Sequence, residues 1–113
     1  MKLAILKIAL PAGLALFANA CATTDAPATL VLARLSYSTS SSGPAATLAA
    51  PYLADARVSL EKANQEFATN GDTGVCRDYA YIAENKLELA DTVARTAIER
   101  QSCSACTPSA AAQ

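Results

Sequence analysis

The sequence predicts an all-α chain: an antiparallel helical hairpin with alanine-rich, coiled-coil-like packing and room for a short third helix at its N-terminal side. Three observations carry this expectation. Apolar residues recur at three- and four-residue steps over two long stretches, the period of a helix with one buried face. Between those stretches stands Asn70-Gly71-Asp72-Thr73, a helix stop followed by a helix start. The second stretch is lined by alanines, which let two helix backbones approach closely.

Residues 1–20 come first. Met1-Lys2 precedes an apolar run from Leu3 to Phe17, broken by Lys7 and Pro11, and Ala18-Asn19-Ala20 stands directly before Cys21. This is the three-part pattern of a secretory signal peptide. The run falls short of the ~20 residues that cross a bilayer core, so removal is expected rather than a permanent span. Ala18-Asn19-Ala20 suits ordinary Ala-x-Ala cleavage to a soluble periplasmic product. The Cys that follows also resembles a bacterial lipobox, in which the thiol receives a diacylglycerol and the new amino terminus an acyl chain. Lipidation at Cys21 is the preferred reading, although Ala18 stands where lipoboxes favour Leu. Residues 21–29 are then a lipidated N-terminus and linker. Ala22 after the Cys, by resemblance to sorting in enteric bacteria, points to the outer membrane, with the chain facing the periplasm.

The helical domain is expected over residues 30–101. Pro27 opens a short helix through Leu30, Val31, Arg34 and Leu35, and the serine run from Ser36 to Pro44 reads as a loop. A long helix over about 45–69 carries the stripe Leu53, Ala56, Leu60, Ala63 and Phe67, with Pro51 tolerable only near a helix start. Its other side holds Arg57/Glu61 and Lys62/Glu66 as i,i+4 pairs. Gly71 stops it, Asp72 or Thr73 caps the next helix, and a second long helix runs over about 74–101. The seam of that helix is Cys76, Ala80, Ala83, Leu87, Ala90, Ala94 and Ala97. Tyr79, Ile82, Leu89, Val93 and Ile98 flank the seam, making an arc wider than one narrow stripe covers. A third helix or a second copy of the chain is implied. Residues 102–113 lack an apolar period and are expected to be disordered.

Two segments resemble a family of envelope lipoproteins known as domain of unknown function 4398. They are Ala50-Pro51-Tyr52-Leu53-Ala54-Asp55-Ala56-Arg57-Val58-Ser59-Leu60-Glu61-Lys62-Ala63 and Asp78-Tyr79-Ala80-Tyr81-Ile82-Ala83-Glu84-Asn85-Lys86-Leu87-Glu88-Leu89-Ala90. The resemblance spans about residues 50–101 and implies an exported or lipid-anchored helical protein. Many relatives continue into an OmpA-like domain that grips peptidoglycan, so the resemblance also implies an envelope spacer or docking piece.

Composition narrows the chemistry. The chain of 113 residues holds nine Lys plus Arg, ten Asp plus Glu, no His and no Trp. Losing Lys2 and Lys7 with the signal leaves seven cations against ten anions, so a nucleic-acid partner is not expected. Without His the commonest acid/base near neutral pH is missing, and no enzyme activity, cofactor, metal or small-molecule substrate is expected. Cys103-Ser104-Ala105-Cys106 is a CxxC placed after a helix rather than at the start of one. It is read as a local disulfide or two thiols, with a periplasmic thiol/disulfide or metal-binding protein as the alternative function. Cys76 is read as a small buried hydrophobe or as a partner in an intermolecular disulfide. Glu84 and Glu88 are expected on a solvated face, Lys86 is expected to lay its stem over Ile82 and Leu89, and Tyr81 is the better aromatic for partner contact. The leading expectation is a non-enzymatic, membrane-anchored helical module that self-associates or docks an envelope partner such as an OmpA-like protein.

Overall fold

The computed structural model describes residues 25–111, with side chains through Cys106. Among these residues the chain is all-α: α1 (Ala28–Ser42), α2 (Ala45–Leu48), α3 (Ala50–Asn70) and α4 (Gly74–Ala111) follow one another without a strand. Helices α3 and α4 form the hairpin, and α1 packs against both. The arc of α4 that one stripe cannot cover is thus covered by a helix of the same chain.

Pro27 stands at the N-cap of α1, where its missing N–H costs nothing. The helix then runs straight through the serines that the sequence reading placed in a loop. Two causes are visible. Thr39 Oγ1 donates to Leu35 O at 3.1 Å, and Ser41 and Ser42 Oγ donate to Ser38 O at 3.1 and 2.9 Å, so the hydroxyls fold back onto helical carbonyls instead of breaking them. Ser40 is buried against α4, and its Oγ donates to Asp91 Oδ2 at 2.9 Å. Tertiary contact decides a run whose intrinsic preference is weak. The helix ends at Gly43, whose N–H bonds Ser40 O.

The long helix expected over 45–69 is divided. Pro51 sits in the first turn of α3, and the backbone turns at Ala49 (φ −135°, ψ 30°), leaving α2 as a separate short turn. Proline is accepted in a first turn because its absent N–H has no helical acceptor there. Helix α3 stops at Gly71, which holds φ +76° and donates its N–H to Phe67 O at 2.9 Å. A side chain is strained in that backbone conformation.

The core runs in three tiers along the bundle. At the hairpin end Leu30 and Ala33 of α1 meet Leu60 and Ala63 of α3 and Cys76, Ala80 and Ala83 of α4. In the middle Leu53, Ala56 and Leu87 close around Tyr37. At the far end Ala45 and Ala49 meet Ala90 and Ala94. This tier order sets α1 antiparallel to α3 and parallel to α4. Alanine fills most of these positions, so the three helices stand close and bury little apolar area per residue. Helix α4 extends past its partners and is exposed from Ile98 through Cys106. The tail expected to be disordered from residue 102 is helical backbone through Ala111. Its serines bond backward too, Ser102 to Ile98 O and Ser104 to Arg100 O.

Candidate functional site

Cys21, the expected lipidation site, lies outside the described residues, as does the signal-like segment before it. The first described residue is Asp25, and α1 begins three residues later.

The packing seam is assembled as follows. Leu53, Ala56, Leu60 and Ala63 of α3 and Ala80, Ala83, Leu87, Ala90 and Ala94 of α4 are buried, while Phe67 and Ala97 at the two ends are half-buried. Phe67 has the Arg34 guanidinium 6.0 Å from its ring centroid, and Arg34 Nε donates to Asn64 Oδ1 at 2.8 Å. That guanidinium pins α1 to α3 at the bundle edge.

Cys76 is fully buried in the first tier, its Sγ 3.5 Å from Ala63 O. Burial pushes its thiol above the ordinary value, and the negative charges of Asp72 and Glu66 add to the effect. An intermolecular bridge through Cys76 would require the bundle to open. Cys103 and Cys106 lie far along α4 on its exposed end, remote from the three tiers.

The hairpin turn uses its polar residues on itself. Thr73 Oγ1 accepts from the Cys76 N–H at 3.1 Å, which makes Thr73 the cap of α4, and donates to Glu66 Oε1 at 3.0 Å. Glu66 Oε1 also accepts from Asn70 Nδ2 at 3.0 Å. Glu66 is therefore spent on the turn and does not pair with Lys62, whose Nζ lies 5.7 Å from the Tyr79 ring centroid. Asp72 takes the Arg77 guanidinium in two bonds of 2.7 Å each, and that hydrogen bonding holds the Asp72 carboxyl below its usual range. Arg57 and Glu61 do pair, at 2.8 Å, on the exposed face.

Two side chains of α4 have surroundings that spacing does not show, and for Glu84 the expected solvated face is overturned. Lys86 carries its ammonium across to α3, where Nζ pairs with Asp55 Oδ2 at 2.9 Å. Glu84 is half-buried, and its Oε1 is shielded from solvent without a hydrogen-bond partner. Glu84 is covered because α1 lies alongside it, with Thr29, Leu32 and Ser36 across the groove. With α1 alongside, Leu32 and Ser36 form one wall of a groove of about 530 Å³, and Tyr81, Glu84, Glu88, Asp91 and Arg95 form the other. Glu88 keeps its exposed position, and Tyr81 is 64% exposed at the groove's mouth. Spacing along the helices does not show this groove, because it does not tell on which side of α4 the N-terminal helix packs.

Among the described residues no three His, Cys, Asp or Glu side chains gather in a way that could hold a metal ion, and no helix is long and apolar enough to cross a membrane. Neither a curated protein nor a solved structure matches the chain. A family model does match, over residues 28–103, and it takes in α1, the hairpin and the overhanging start of the α4 tail. This chain belongs to the family described as Domain of unknown function (DUF4398).

Proposed function

We propose that this protein is a lipid-anchored component of the bacterial cell envelope, held at the outer membrane through Cys21 and facing the periplasm. Its helical domain acts without catalysis, as a spacer or as a docking piece for a second copy or an envelope partner such as an OmpA-like protein. The observation that carries the reading is Cys21 directly after Ala18-Asn19-Ala20, at the end of an apolar run that opens with Met1-Lys2. One feature of the sequence and one of the fold support it. The linker from Cys21 to Pro27 is short, so acylation would fix the bundle close to the lipid. Glu66 and Thr73 are engaged with each other in the turn, and Asp55 and Lys86 pair between α3 and α4.

The test is the intact mass of the mature protein made from the full-length chain in a Gram-negative host, beside that of a Cys21→Ser variant. A mass carrying acyl groups on a chain that starts at residue 21, lost in the variant, is the expected result. An unmodified chain starting at residue 21 overturns the anchor and leaves a soluble exported helical protein.

A further inference from the structure

The outer side of α1 carries no charged side chain and belongs to the described helix nearest to Cys21 in sequence. Leu30, Ala33 and Ser40 face inward, and at 100° per residue Val31 and Leu35 point the opposite way, with Leu32 to their side at the edge of the groove. Val31, Leu32 and Leu35 are 42%, 54% and 61% exposed. Arg34 is the one charged residue between Ala26 and Ala54, and it is turned toward Asn64 and Phe67 of α3. Exposed aliphatics elsewhere differ in their surroundings: Val58 follows Arg57, and Ile82 and Leu89 alternate with Asp78, Lys86 and Glu88 along α4. Ser38, Thr39 and Ser42 complete the outer side of α1 with uncharged hydroxyls. Across the groove from Leu32 stands the exposed ring of Tyr81.

We propose that this side of α1 lies on the lipid surface that holds the anchor. The inference rests on acylation at Cys21. Chain length argues for this occupant: the seven steps from Cys21 to Ala28 span at most ~25 Å, and Leu32 and Leu35 lie within ~11 Å of the start of α1. The aliphatic side is thus held within reach of the membrane. Three side chains are too few for the ~800 Å² per partner of a stable dimer, which argues against a second copy. They are enough for a surface already tethered, because the anchor makes the second contact intramolecular. A face without cations suits zwitterionic lipid, since polybasic attraction to anionic headgroups is missing. Aliphatic side chains over a Ser/Thr-rich flank enter the headgroup and acyl boundary, and a tyrosine at the rim keeps its hydroxyl in the headgroups.

The chain has no Trp, so one introduced indole reports its surroundings alone. Acylated full-length protein carrying Leu35→Trp, or Val58→Trp on α3 as the control, is reconstituted into phosphatidylcholine vesicles with and without brominated acyl chains. Trp at 35 is expected to shift to the blue and to lose about half its emission to the bromines, while Trp at 58 stays unshifted and unquenched. Equal quenching at both positions, or none at 35, overturns the inference. A blue shift at 35 without quenching also overturns it and assigns the face to a protein partner. The mass of the same preparations separates the two readings: acylated protein unquenched at 35 removes only this inference, whereas protein without acyl groups removes the anchor and this inference together.

Discussion

The two halves of the bundle are built on different terms. The α3–α4 hairpin carries its instructions in side-chain type: a stripe of leucine and alanine, a glycine stop, a threonine cap and charges on the outer faces. The α1–α2 half has one charge, a serine run and two prolines at its helix ends. It holds its helix through hydroxyls bonded back to its own carbonyls and through burial of Leu30, Ala33 and Ser40 against the hairpin. A helix can therefore be specified from within or imposed by its neighbours. Only the first kind is visible as a pattern.

The largest effects test whether α1 is truly part of one cooperative unit. Leu30 and Leu87 are both buried almost completely, one in each half. Replacing either with Ala is expected to cost about 2–5 kcal/mol, read as a shift of the urea midpoint with one transition. If Leu30→Ala instead melts α1 alone and leaves the hairpin's transition in place, the two halves are separate units. Next comes the hairpin's own start signal. Thr73→Ala removes the hydroxyl that receives the Cys76 N–H and bonds Glu66, for an expected loss of about 1 kcal/mol.

Within the serine run the comparison sharpens to single hydroxyls. Ser40→Ala takes the partner from Asp91 and should cost about 1 kcal/mol, while Ser42→Ala on the exposed side should stay within about 0.5 kcal/mol. Equal effects of the two would mean that the bond to α4 does not hold the run in place.

The smallest effect concerns pH. Burial raises the Cys76 thiol in the fold, so the unfolded chain's thiol, near ~8.5, ionises first. Stability from this group is complete below that pH and falls as pH rises through the folded value. The urea midpoint of the wild type should therefore drop more steeply between about pH 8 and 10 than that of Cys76→Ala. Parallel profiles would show that the folded thiol ionises as readily as the unfolded one.

How much of this was legible follows from where each signal resides. The stripe of α3, the stop at Gly71 and the cap at Thr73 are local, so spacing reveals them. Pro51 announced a helix start, yet the turn at Ala49 depended on how α2 meets α4. Lys86 stands in the apolar arc of α4 whatever its partner, and spacing alone put its stem over Ile82 and Leu89. Only the register between α3 and α4 places Asp55 within 2.9 Å. Glu84 was counted as solvated because its helix position faces away from α3, and nothing local tells that α1 will lie there.

The sequence by itself determined the helical class, the hairpin and the alanine seam, because each rests on periodicity and on the backbone preferences of Gly, Pro and Thr within a few residues. The tertiary structure decided that the serine run is helical, that α1 covers the wide arc of α4, and that Glu84 borders a groove. Those outcomes depend on which surfaces meet. A serine-rich helix close to balance between helix and loop is settled by the burial and hydrogen bonds its neighbours supply.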